Sequence, residues 1–247
     1  MISVTILTKN SRRTLQKTLE SVRSFSEVVI LDTGSTDQTL FLAKEYLNTK
    51  IYTSPFLGFG ALHNEAAHLA THDWILSLDS DEVLTAELIE EIQGLVLDPT
   101  CVYSIERHNF FNGKRIKWCG GWHPDRVVRL FHRKSACFSD DQVHEKVITQ
   151  HLKEISLQSP LLHTPYLEIA DFLDKMQHYT TLFADQEKRK KKVSVFKALY
   201  HSFYAFAKSY IFKRGFLGGK EGFIISMYNG HSTFYKYLKL AERCDKK

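Results

Sequence analysis

The sequence predicts an α/β fold, a mostly parallel sheet flanked by helices, with a helical C-terminal appendage. Three observations carry the prediction. Apolar, β-branched runs of strand length alternate with segments of helical period up to residue 82. Each of those runs ends in polar or acidic residues, which suits the carboxyl edge of a parallel sheet. From residue 166 onward the apolar residues fall at helical spacing among lysines and aromatics. Residues 1–165 therefore form the main domain and 166–247 a basic, aromatic helical region.

Residues 2–8, ISVTILT, make the first strand. Ser11 is placed to cap a helix whose Leu15, Leu19, Val22 and Phe25 share one face. EVVILDTGSTDQT supplies a buried strand at 28–31, a turn at Gly34, and an N-cap at Ser35 or Thr36 for a helix carrying Leu40, Ala43 and Leu47. A short strand at 51–54 leads through PFLGFG into a helix over 61–70, and DWILSLDSDE closes the alternation. Right-handed crossovers then cover both faces of the sheet. Thr8 to Asn10, Asp32 to Asp37 and Asp79 to Glu82 fall along one edge, because each lies where a strand ends. Beyond residue 100, CVYSIERHNFF and KRIKWCGGWHPDRVVRLFHRK read as short mixed or antiparallel strands, with Asn112-Gly113 as a hairpin turn. Helical spacing returns over 167–182, 195–210 and 223–240, the last two separated by RGFLGGKEG.

At 247 residues and 43% apolar content the chain can bury one sizeable core with an appendage. It has no apolar run of membrane-spanning length and its N-terminus lacks a secretory pattern, so a cytoplasmic protein is expected. Cys101, Cys119, Cys137 and Cys244 form no C-x-x-C pair and read as reduced thiols. The net charge of +5 is unevenly placed: residues 188–220 hold KRKKK, Lys197, Lys208, Lys213, Arg214 and Lys220 and no acid. That asymmetry suits an anionic partner, a nucleotide, nucleic acid or lipid surface. The modest total and the lack of a nucleic-acid motif argue against nucleic acid.

Two constellations carry chemistry. Asp79 and Asp81 at i and i+2 would point to opposite faces of a regular strand, so acting together requires that the strand has ended in a turn. They could then share a hard divalent ion, Mg²⁺ or Mn²⁺, with water and phosphate filling the remaining positions. A solvated acidic face continuing through Glu87, Glu90 and Glu91 is the alternative. In LDTGSTD, Asp37 reads as a helix cap, whereas Asp32 at a strand end is placed to accept hydrogen bonds from a base or ribose. A Mg²⁺-dependent phosphoryl or nucleotidyl transferase uses similar acids, but no GxxxxGK loop is present.

The ordered series VTILTKN, LDTGSTDQT, GFGALHNEA and DWILSLDSDE resembles the N-terminal half of family 2 glycosyltransferases of the GT-A fold. GGWHPDRVVRLFHRK followed by VHEKV is similar to the bacterial lipopolysaccharide-core β-1,4-glucosyltransferase subgroup, and the likeness runs in order through residues 1–165. The resemblance implies a nucleotide-sugar donor, a UDP-sugar in the first instance, a lipid-linked saccharide acceptor, and transfer with inversion. By it Asp32 contacts the nucleoside, with Thr8, Asn10 and Asn64 on the donor side. Asp79 and Asp81 hold Mg²⁺ or Mn²⁺ on the diphosphate, with His163 as third ligand. One departure stands out: the resemblance calls for Gln and a basic residue ahead of Asn64, and this chain has Leu62-His63.

Inversion needs a carboxylate across the sugar ring to take the acceptor's proton, and Glu145 in VHEK and Asp125 in WHPDR are the candidates, Glu145 the preferred one. His144 would orient it or meet an acceptor phosphate, and Arg129 would meet the donor diphosphate or an acceptor phosphate. Trp122 would stack on an acceptor sugar or serve as a buried anchor. The aromatic and basic C-terminal third reads either as a helical lid or as a helix for peripheral contact with the cytoplasmic face of the inner membrane.

Overall fold

Val4 and Ile6 on one side of β1 (Ile2–Thr8) and Leu7 on the other pack into separate clusters, as expected of a strand covered on both faces. The structure is a computed structural model that describes residues 1–140, 145–187 and 194–245; His144 and the run KRKKK lie outside these residues. The chain divides into two units, Met1–His108 with Arg126–Thr164, and Asn109–Asp125 with Pro165–Lys247.

In the first unit, β1 pairs in parallel with β2 (Glu27–Asp32) and β4 (Trp74–Asp79), and β2 with β3 (Thr49–Thr53). Helices α1 (Arg12–Ser21), α2 (Thr39–Ala43) and α3 (Phe59–Leu69) make the crossovers. Leu15 and Leu19 of α1 are buried against Val4, Ile6 and Leu78, and truncating one such leucine to alanine costs about 2–5 kcal/mol. After β5 (Glu82–Leu84) and α4 (Ala86–Gln93) the sheet turns mixed. β6 (Cys101–Phe111) and β8 (Arg126–His132) pair antiparallel to one another, and β8 lies antiparallel to β4. β9 (Lys153–Ser156) runs parallel to β6, and β10 (Leu161–His163) antiparallel to β5. The register sets Leu7 beside Asp79 and Thr8 beside Asp32, which aligns the carboxyl ends of β1, β2 and β4.

Two caps differ from expectation. Ser11 makes no side-chain cap; its backbone N–H donates to Thr39 Oγ1 and its hydroxyl accepts from Ser80. The second helix starts only at Thr39, because Ser35 and Thr36 are committed to Asp32 and Asn10, and Leu47 lies exposed beyond it.

The second unit joins residues 109–125 to the C-terminal helices. The hairpin after β6, with β7 (Lys114–Arg115), belongs with the C-terminal helices, because Phe111, Ile116, Cys119 and Trp122 share a core with Phe172 and Ile225. Asn112 and Gly113, at φ 52° and 71°, form its two-residue turn as the dipeptide predicts. Helices α5 (Ile169–Glu187), α6 (Val195–Ala207) and α7 (Gly219–Asp245) follow, with a π-helical turn at Lys208–Phe212 and a 3₁₀ turn at Gly215–Gly218. The loop and α7 approach backbone to backbone: a Cβ on Gly222 would fall 1.9 Å from Gly215 O. No described helix is long and apolar enough to cross a membrane.

Candidate active site

β4 ends at Asp79 and the chain turns through Ser80 and Asp81 into β5, so the acids leave the regular strand as joint action requires. Glu82 then points inward and is fully buried; its Oε2 accepts from the Asp79 backbone N–H at 3.0 Å. Its Oε1 accepts from Arg107 Nη1 at 3.2 Å and from Arg129 Nη2, which also donates to Asp79 Oδ2. Arg129 is itself 5% exposed. The cation beside Asp79 and Glu82 is therefore an arginine from β8, whose Nη2 is shared between the two carboxylates while its buried Nε has no hydrogen-bond partner among the described residues. Burial pushes the Asp79 pKa up, but Arg129, with His63, Arg107 and His163, outweighs it and holds the group well below the carboxylate range.

Asp81 faces His163 at the end of β10, Oδ1 to Nε2 3.5 Å, and its carbonyl accepts from the Thr164 N–H. Asp79, Asp81 and His163 offer two carboxylates and an imidazole, a donor set that fits Mn²⁺ and, less closely, Mg²⁺. Among the described residues no three such groups converge as a ready-made metal cage. An ion held there would need phosphate or water oxygens to complete its shell.

Glu145 lies on the other side of this cluster. Its segment pairs back on residues 137–139, with Ile148 N donating to Cys137 O and Ser139 N to Lys146 O. Glu145 Oε1 is 3.8 Å from Nε2 of His63, a ring buried in α3 that stacks on Phe138 and meets Ser77 Oγ through Nδ1 at 3.1 Å. Burial pushes His63 down to about 4, so it is neutral at pH 7 and cannot replace the basic side chain that the resemblance calls for. Burial pushes Glu145 up, and the charge of Asp79 adds to the shift. A carboxyl shifted this way accepts a proton more readily than an exposed one.

Several residues expected on the donor side are engaged within the chain. The Asp32 carboxylate accepts from Thr8 Oγ1, Ser35 Oγ, Gly34 N and Ser35 N and is 1% exposed, so its acceptor capacity is used within the chain. Thr8 serves the same turn. Asn10, at φ 52°, accepts from the N–H groups of Thr36 and Asp37 through Oδ1. Asn64 is bound in both directions to the backbone of Phe138, its amide donating to the carbonyl and accepting from the N–H. It ties α3 to the segment whose Phe138 stacks on His63.

Asp125 and Trp122 belong to the second unit. Asn109 Nδ2 donates to Asp125 Oδ2 at 2.9 Å and to the Trp122 carbonyl at 2.7 Å. The Trp122 indole is buried, stacked on Tyr166 and Phe172, so it is an anchor and offers no open face to a sugar. Arg107, Glu82 and His63 are the residues that sequence reasoning did not assign. The one signal available was the departure at Leu62-His63.

Comparisons with known proteins agree with this layout. The signature of Glycosyl transferase family 2 matches residues 3–142. The chain is 28% identical over 256 residues to an uncharacterised glycosyltransferase of Rickettsia typhi, covering 98% of this chain and 87% of the relative. It is 26% identical over 255 residues to the lipopolysaccharide core biosynthesis glycosyltransferase LpsC of Rhizobium meliloti, covering 98% and 92%. Among solved structures, S. aureus TarS in complex with UDP-GlcNAc shares the fold at a TM-score of 0.51 and 17% identity, covering 98% of this chain and 89% of that one. A family signature spanning more than half of the chain, on a sheet whose strand ends gather the acids, identifies a sugar-transferring enzyme: the chain belongs to glycosyl transferase family 2.

Proposed function

We propose that the enzyme moves a hexose, glucose by the resemblance, from a nucleoside diphosphate donor to a lipid-linked saccharide, with inversion at the anomeric carbon. Lipopolysaccharide core is the acceptor class, at the cytoplasmic face of the inner membrane, in keeping with what LpsC is named for. The observation that carries the reading is Glu145, a half-buried carboxyl with a raised pKa beside His63 and within the field of Asp79 and Arg129.

In this reading the acceptor hydroxyl gives its proton to a Glu145 carboxylate oxygen as its own oxygen bonds to the anomeric carbon. The bond from that carbon to the diphosphate oxygen breaks, and its electron pair leaves with the nucleoside diphosphate. Asp79, Asp81 and His163 would hold Mn²⁺ or Mg²⁺, which when bound supplies positive charge for the departing diphosphate. Arg129 keeps Asp79 ionised, Glu82 holds Arg129 and the Asp79 backbone in place, and Asn64 and His63 position the segment against which that of Glu145 pairs.

The test is transfer from UDP-glucose to deacylated lipopolysaccharide core, with the product anomer read by NMR. Glu145→Gln is expected to abolish inversion product, whereas Asp125→Asn retains it. Near-normal turnover in Glu145→Gln with loss in Asp125→Asn would reverse the assignment of the base.

A further inference from the structure

Helix α6 is packed inside out. Its inner side is made of small residues: Ala198 is fully buried and Ser202 Oγ donates to Gly230 O of α7 at 2.9 Å. A Cβ on Gly230 would meet Ser202 O and Phe206 Cβ at 3.3 Å, so the two helices nearly touch backbone to backbone. The bulky residues point outward. Phe196, Tyr200 and Phe203 are 84%, 68% and 72% exposed, and Phe212 in the π-helical turn is 73% exposed. With Leu199 they follow the i, i+3, i+4, i+7 spacing that puts residues on one helix face. Exposed apolar surface of this extent on a soluble chain marks a contact site.

Along α6 and the turns after it the charge is basic up to Lys220, and Glu221 follows, paired with Lys114 at 3.3 Å. Lys197, Lys208, Lys213, Arg214 and Lys220 are exposed along the same stretch, and no acid occurs between residues 194 and 220. Leu217 and Gly218 also wall a cleft of about 250 Å³ with Lys114, Arg115, Lys117 and Trp118. A second copy seated on this face would bring like charges together, which disfavours association. A surface of lipid phosphates would neutralise them.

We propose that this face docks the enzyme on an anionic bilayer, with α6 lying in the plane of the interface, its aromatics among the headgroups and its lysines on lipid phosphates. The inference goes beyond the transfer reading, since it concerns a face of the second unit and none of the residues of the acidic cluster.

Vesicle sedimentation tests it without an acceptor. The full chain is expected to bind phosphatidylcholine vesicles only when phosphatidylglycerol is included, and less at high salt. Phe196→Ser/Phe203→Ser/Phe212→Ser is expected to lower partitioning by about tenfold or more, with UDP binding and thermal melting unchanged. No binding of the wild type to anionic vesicles, or equal binding of the triple variant, would overturn the proposal. So would a concentration-dependent dimer that the variant abolishes while neither protein binds vesicles, which would assign the face to a second copy. UDP binding reports separately on the donor site, so failure of one reading leaves the other standing.

Discussion

Replacing Arg129 by glutamine tests the central electrostatic arrangement. The guanidinium is 5% exposed and its Nη2 is shared by Asp79 and Glu82, the latter fully buried. Glutamine fills much of the space but brings no charge, so two carboxylates are left facing one another with Arg107 the remaining guanidinium beside them, at 3.2 Å from Glu82 and 3.8 Å from Asp79. Removing one partner of a buried ion pair costs about 3–5 kcal/mol, far above the 0–1 kcal/mol typical of surface pairs. At roughly 2–4 °C per kcal/mol for a chain of this size, the melting temperature should fall by about 6–20 °C. The pH dependence should change with it. In the wild type Asp79 has a folded pKa below its unfolded one, so its contribution is present above the unfolded value near about 4 and is lost on acidification. Without Arg129 that depression is largely removed, and the loss of stability on acidification from about pH 5 downward should shrink. Urea unfolding in chelator across that range measures both effects, and Arg129→Gln/Glu82→Gln should recover part of the loss, with a coupling of about 1–3 kcal/mol. A single variant within about 1 kcal/mol of wild type, or one that keeps the full pH dependence, would refute the argument.

Glu145→Gln should separate stability from function. A carboxyl whose folded pKa is raised contributes stability at low pH that is lost as the pH rises through the folded value, so at pH 7.5 the amide should be no less stable and up to about 1 kcal/mol more stable. Product formation should meanwhile drop by roughly 10²–10⁴, and a variant that melts well below wild type would contradict this account of the site. Calorimetry with UDP should show affinity that rises with Mn²⁺ and falls at least about tenfold in Asp79→Asn/Asp81→Asn, whereas Mn²⁺ without nucleotide should give little heat. Asn64→Ala forfeits two hydrogen bonds to Phe138 and should cost about 1–3 kcal/mol, with transfer reduced more than UDP binding, because the displaced segment is the one against which that of Glu145 pairs. Equal losses in both would assign Asn64 to the donor after all.

What the sequence made legible follows from what is local in it. Strand runs such as ISVTILT, the alternation with helices and the Asn112-Gly113 turn are set by neighbours along the chain, and they appear where expected. The acidic strand end was legible as a place; its occupant was not. Arg129 reaches Asp79 because β8 pairs antiparallel with β4 across fifty residues of sequence, and no periodicity in either strand announces that register. The partners of Asp32 were hidden for a similar reason: an acid at a strand end looks alike in sequence whatever its oxygens face, and here they accept from Thr8, Gly34 and Ser35. The hairpin at 109–125 joins the C-terminal unit through Phe111, Trp122 and Phe172, contacts made between parts of the chain about fifty residues apart.

The charge count around the cluster bears on how a donor is received. Asp79, Asp81, Glu82 and Glu145 set four carboxylates against the two guanidiniums of Arg107 and Arg129, while His63 is held neutral by burial. Two negative charges remain when all four acids are ionised, the amount that one divalent ion cancels. A bare nucleoside diphosphate would therefore meet net repulsion at the strand ends, and a divalent ion carried in with it would meet attraction. Arg129, buried, and the partly exposed Arg107 would then do something a metal alone would not: they would hold Asp79 ionised and aimed before any donor arrives, which would lower the reorganisation needed when the diphosphate becomes a leaving group. On this reasoning Glu82 is as necessary to donor binding as the acids of the D-x-D, although it touches only Arg129, Arg107 and the Asp79 backbone. Glu82→Gln should weaken UDP–Mn²⁺ binding by loosening Arg129, and binding left at the wild-type level would show that the arginine needs only Asp79 to stay in place.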